Sequence, residues 1–144
     1  YCWKQDRSIE IQGGRTFVIG DCALFQAGNA PPFIGIIRNL VKTDKEEGSL
    51  NLSVNWLYRP DELKLGKGAS LDATPNEIFY SFHKDEISSS YLLHPCKVAF
   101  LRKGIELPPW RSCFVCRRVY DTTNKCLYWL TDQDYTDVSN FLTC

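Results

Sequence analysis

Along "LNLSVNWLY", residues 50 to 58, apolar and polar positions alternate. Leu50, Leu52, Val54, Trp56 and Tyr58 share one parity, and Asn51, Ser53 and Asn55 the other. A period of two marks a half-buried strand, and Pro60 ends it. "RTFVIGDCALFQ" is β-branched and aromatic and reads as two short strands hinged at Gly20 and Asp21. "AGNAPP" is a loop, "FIGIIRNLVKT" a strand and "DKEEGS" a charged turn. "YLLHPCKVAFL" and "SCFVCRRVYD" read as strands joined by "RKGIELPPWR". "TTNK" then turns the chain into "CLYWLT", the return arm of a hairpin. The opening "YCWKQDRSIEIQ" either pairs as a strand or frays.

Two segments carry helix signals. In "TPNEIFYS", Thr74 can cap, Pro75 suits the first helical position, and Glu77 completes a capping box. That helix must be short, because "SFHKDEISSS" soon loses periodicity. "TDQDYTDVSNFL" predicts a terminal helix capped by Thr131. The expected fold is mainly β: about seven strands in an antiparallel, partly open, barrel-like sheet with one or two short helices. Such folds host binding modules more often than enzymes, though the fold alone decides no function.

Composition narrows the classes. The 144 residues suit one domain, and 44% apolar content supplies a core. Lys plus Arg and Asp plus Glu both total 17, whereas a phosphate-binding domain is usually basic. DNA contact is therefore secondary, and its candidates are Arg102, Lys103, Arg111, Arg117 and Arg118. No apolar run approaches the ~20 residues that span a membrane, so no membrane partner is expected. The absence of methionine suggests a piece of a longer or processed chain.

Seven cysteines, an odd number set mostly in apolar strand patterns, suit reduced buried thiols. Cys113 and Cys116 form a C-x-x-C, but no second ligand pair completes a zinc site. Core packing is the favoured role, and neither metal nor cofactor is expected. No nucleophile elbow and no phosphate-binding glycine loop occur. His83 and Asp85 could act as an acid–base pair, but a polar loop pair is the simpler reading, and no enzyme activity is expected.

Aromatic residues at strand ends suggest binding instead. Phe33 follows "APP", Trp56 and Tyr58 precede "RP", and His83 and Asp85 follow the short predicted helix. A trimethylammonium group donates no hydrogen bond and is drawn to ring faces, each worth ~0.5–2 kcal/mol. Three rings can cage it. Equally, Trp56 and Tyr58 share a face with Leu50 and Val54 and can simply continue the core. Periodicity leaves both readings open.

The stretches "IGDCALF", "PPFIGIIRNL", "LSVNWLYRPDE", "NEIFYSFHKDEI", "HPCKVAFL" and "FVCRRVYD" together resemble a bromo-adjacent homology (BAH) domain. The resemblance covers residues 17–138, with residues 1–16 an N-terminal extension and 139–144 a tail. The closing "RRVYDTTNKCLYWLTDQDY" is similar to plant BAH proteins that also carry a transcription-elongation-factor-S-like helical domain. BAH domains are chromatin modules, and one subgroup reads trimethylated lysine 27 of histone H3 through three aromatic residues. By motif these fall on Phe33, Trp56 and Tyr58. The first is commonly tyrosine there, so Phe33 is a departure that keeps the ring face and loses the hydroxyl. The subgroup's peptide-binding histidine and aspartate fall on His83 and Asp85, and Arg59, on the other parity, should point away from the cage. The resemblance implies a nuclear histone-tail reader partnered by histone H3 and by other chromatin or transcription proteins. A BAH interaction scaffold that binds no methyl-lysine is the alternative.

Overall fold

The computed structural model describes residues 8–11, 15–42, 50–66, 71–106 and 113–139. Among these residues ten strands and one helix follow one another. They are β1 (Ser8–Ile11), β2 (Arg15–Val18), β3 (Cys22–Phe25), β4 (Phe33–Lys42), β5 (Leu50–Tyr58), β6 (Glu77–Ser88), β7 (Leu92–Cys96), β8 (Val98–Phe100), β9 (Phe114–Asp121), β10 (Cys126–Trp129) and α1 (Asp132–Ser139). Single 3-10 turns occupy Pro60–Glu62 and Ser89–Tyr91.

β1 and β2 form a two-stranded ribbon separate from the main sheet. The main sheet runs β10-β9-β6-β5-β4-β3-β7, and β8 pairs with β9. Most neighbours are antiparallel, but β6–β9 and β8–β9 are parallel. The stretch read as one strand from Tyr91 to Leu101 breaks at Lys97: its first half pairs with β3 and its second with β9. One bent segment thus links the two ends of the sheet into a partly open barrel.

The hinge at Gly20 and Asp21 is as expected. Gly20 takes a positive φ of 101°, and Asp21 Oδ2 accepts from the Val18 N–H at 3.1 Å. Thr131 caps α1, its Oγ1 accepting from the Asp134 N–H at 3.0 Å. The helix expected after Thr74 is absent. Its capping bonds do form, since Glu77 Oε1 accepts from the Thr74 N–H at 3.0 Å. Asn76 then adopts a φ of 63°, which turns the chain out of a helical path. Ile78, Phe79 and Tyr80 follow, all buried, and they extend as β6 between β5 and β9. Burial on both faces erased the alternation that would have marked the strand. The predicted turn "DKEEGS" lies outside the described residues.

Both sheet faces are covered. One core gathers Ile34, Ile36, Leu57, Ile78, Tyr80 and Val119 with Val138 of α1. The other gathers Phe17, Phe25, Ile37, Leu52, Val54 and Leu92, with Trp56 packed at its border. Asn55, assigned by alternation to a solvent face, is instead fully buried.

Candidate functional site

Three local devices build a cavity at the end of β5. The first is register. β4 pairs with β5 so that Ile34 faces Leu57 and Gly35 faces Trp56. Phe33 at the start of β4 therefore stands beside the end of β5 that carries Tyr58, and alternation puts Phe33, Trp56 and Tyr58 on one face. Phe33 and Trp56 meet edge to face, centroids 5.7 Å apart and planes at 60°.

The second device is a clamp. Arg59 Nε and Nη2 donate to the Pro32 carbonyl at 3.3 and 3.0 Å. The Arg59 N–H donates to Glu62 Oε1 at 2.8 Å. As the parity predicts, Arg59 stays out of the cavity, and it ties the Phe33 loop to the end of β5.

The third device is a bulge in β6. Asn55 pairs with Lys84, but Leu57 pairs with Tyr80, so Ser81, Phe82 and His83 together face the single residue Trp56. That excess carries His83 over Tyr58. The two rings lie nearly parallel at 25°, and the Tyr58 hydroxyl is 2.7 Å from His83 Nδ1. Trp56 Nε1 donates to Asp85 Oδ2 at 2.8 Å, and the same oxygen lies 3.4 Å from His83 Nε2. In a neutral imidazole with the proton on Nε2, that N–H faces Asp85 and Nδ1 accepts from Tyr58. Hydrogen bonds thus join Trp56 to Asp85 and Tyr58 to His83, and the 3.4 Å approach of His83 to Asp85 brings the two pairs together between two cavity walls.

The cavity measures about 190 Å³ and is lined by Phe33, Trp56, Leu57, Tyr58, Glu62, His83 and Asp85. All five residues selected from the sequence are therefore together. Phe33 is 44% exposed, an open wall. Trp56 is half-buried and packs its other edge on Phe25 at 5.6 Å. The Tyr58 ring leans on Tyr120 at 5.3 Å. Burial pushes the Tyr58 hydroxyl pKa up, and Tyr120, Glu62 and Asp85 add to it, so the phenol stays neutral. Two carboxylates and no lysine or arginine line the space, which favours a cation. Its volume falls below the about 300–1,000 Å³ of sites for drug-sized ligands and suits a single side-chain head group.

Glu62, Gly35, Asn55 and Ser81 were not singled out from sequence. A glycine inside a strand opposite an aromatic residue is a readable sign of close approach, and Gly35 carried it.

Other candidates end elsewhere. Arg117 and Arg118 both bind the fully buried Glu77, at 3.1 and 2.9 Å, and Arg118 also holds Asp72 at 2.9 Å. Arg102 stacks on Tyr135 at 4.2 Å. Three of the five cations offered for DNA contact are thus engaged within the domain, and Arg111 lies outside the described residues. Cys116 is buried in β9, and desolvation pushes its thiol pKa well above the usual range. Cys113 stands just before β9. Among the described residues no three His, Cys, Asp or Glu side chains are grouped to hold a metal ion, and no helix is long and apolar enough to cross a membrane.

A family model described as "BAH domain" matches residues 15–130. Among solved structures, the crystal structure of the yeast Rsc2 BAH domain is similar, with a TM-score of 0.65 and 23% identity. The match covers 88% of this chain and 55% of that one, so this chain spans about half the length of its structural relative. At that identity the likeness establishes a shared fold. The family match spans most of the chain, and the chain belongs to the BAH domain family of chromatin-associated modules.

Proposed function

We propose that this chain is a nuclear histone reader that holds trimethylated lysine 27 of an H3 tail in the cavity of Phe33, Trp56 and Tyr58. The observation that carries the reading is three aromatic rings around one small space with Glu62 and Asp85 at its border. Ring faces attract a quaternary ammonium, and the carboxylates add long-range attraction without needing a hydrogen bond. His83 and Asp85 are exposed beside the cage and can meet the adjoining peptide. The choice of lysine 27 rests on the resemblance of the W-x-Y-R-P and S-x-H-x-D segments to the subgroup that reads it. By the closing segment we also place the parent among plant BAH proteins with a transcription-elongation-factor-S-like helical domain. No reaction accompanies binding.

The scaffold reading draws on one observation: Trp56 and Tyr58 each have an internal partner, Phe25 and Tyr120. A panel of modified histone-tail peptides separates the two. Selective binding of the trimethyl-lysine 27 peptide supports the reader. Uniform silence across all methyl-lysine peptides supports the scaffold.

A further inference from the structure

We propose that Asn55 and Ser81 are positioning residues for recognition: they staple the β6 bulge that carries His83 and Asp85 to the cage walls. The inference rests on the reader function only for its binding arm.

Ser81, Phe82 and His83 face Trp56 alone, so the β5–β6 ladder cannot satisfy all their backbone groups. Side chains take over. Asn55 Nδ2 donates to the Ser81 carbonyl at 2.6 Å and to the His83 carbonyl at 3.4 Å. Ser81 Oγ donates to the Trp56 carbonyl at 2.8 Å and accepts from the His83 N–H at 3.2 Å. One hydroxyl thus bridges the two strands at the residues that carry a cage wall and its histidine. Asn55 and Ser81 are both fully buried. A buried amide and hydroxyl persist in a strand only when bonded, so the staple is the reason these polar residues are tolerated there.

The orientation of Asn55 is fixed from behind. Arg38 Nη2 and the Tyr80 hydroxyl donate to Asn55 Oδ1 at 3.3 and 3.4 Å. Arginine only donates, so Oδ1 must face it and Nδ2 must face the bulge. Arg38 sits at the irregularity in β4 between Ile37 and Asn39, and its Nη1 donates to the Asp137 carbonyl of α1 at 3.1 Å. The helix end, Arg38, Asn55 and the bulge form one connected polar path under the cage.

The test follows the Trp56 indole N–H and the His83 amide by ¹H–¹⁵N spectroscopy and hydrogen exchange, alongside titration with a trimethyl-lysine 27 H3 peptide. In the wild type the His83 amide, though on an exposed residue, exchanges slowly because Ser81 Oγ holds it. In Ser81→Ala the melting transition is retained, the indole signal shifts, and its exchange quickens by about threefold to tenfold, the scale of one hydrogen bond. Peptide affinity falls by a similar factor, and Ser81→Thr, which keeps the hydroxyl, restores the indole signal. An unprotected His83 amide in the wild type overturns the proposal without any variant. So does a folded Ser81→Ala protein with an unchanged indole. Wild-type silence toward the peptide sinks the reader reading alone, because the spectroscopic arm still decides the staple.

Discussion

Gly35 and Trp56 face each other across β4 and β5, and the indole edge and the Val54 methyl close over the space a side chain on Gly35 would need. A Cβ there would stand 3.2 Å from Trp56 Cε3 and 3.3 Å from Phe25 Cε2, and would collide with Val54 Cγ1. Overpacking of this kind costs roughly 1–3 kcal/mol. Gly35→Ala should therefore lower the melting temperature and displace the Trp56 wall, weakening methyl-peptide binding. A melt and a titration check both effects. An unchanged melting temperature would show that neither Val54 nor the indole needs the space.

Phe33 separates cage from core most cleanly, because it is the wall most open to solvent. Phe33→Ala should leave stability nearly unchanged and weaken trimethyl-lysine binding by ~0.5–2 kcal/mol, the worth of one ring. Phe33→Tyr should keep binding, since the ring face survives. Trp56→Ala is expected to abolish binding in a domain that stays folded, at some cost in stability because Trp56 also packs on Phe25. Calorimetric titration of the folded variants measures each effect.

His83 and Asp85 should set which tail is read. Both are already bonded to cage walls, so their loss also loosens the cage. Preference is the discriminating readout. Asp85→Ala and His83→Ala should weaken the lysine 27 peptide several-fold more than a second trimethyl-lysine peptide. Equal loss for both peptides would assign them to wall support alone.

Acid should loosen the turn that starts β6. Burial pushes the Glu77 carboxyl pKa up, but hydrogen bonds from Arg117, Thr74 and Arg118 outweigh it and hold the group below its ordinary value. A depressed carboxyl contributes stability that is present above its unfolded pKa of about 4.3 and is lost as pH falls through the folded value. Glu77→Gln should destabilise by on the order of 3 kcal/mol at neutral pH, leaving Arg117 without its anion and Arg118 with Asp72 alone. The gap from wild type should narrow below about pH 4.3. Denaturation at a series of pH values measures it, and a gap independent of pH would contradict the assignment.

Much of the fold was legible in the residues. The strand from Leu50 to Tyr58, the Gly20–Asp21 hinge and the Thr131 cap follow from alternation and local hydrogen bonding, and the structure keeps them. The residues from Thr74 to Ser81 misled for a physical reason. The same bonds that cap a helix also close the turn before β6, and the Asn76 turn, the burial of Ile78, Phe79 and Tyr80 and the partners of Glu77 on β9 together make the strand win. Asn55 misled because alternation assumes one face in solvent, whereas its face is covered by the core that holds Leu57, where its amide bonds the Ser81 carbonyl. The five site residues came from motif resemblance, which the register and the bulge explain in space. Glu62 was given no role because a carboxylate after a proline reads as an ordinary turn residue until the fold sets it at the cavity.

The central claim is that the cavity of Phe33, Trp56 and Tyr58 binds a quaternary ammonium through its charge. Titrating the domain with three H3 peptides tests it most directly: lysine 27 trimethylated, lysine 27 unmodified, and a neutral tert-butyl isostere of the trimethylated side chain. The account predicts clear binding of the trimethylated peptide and losses of about tenfold or more for the other two, as cation–π attraction requires. Equal affinity for all three, or none for any, would contradict it.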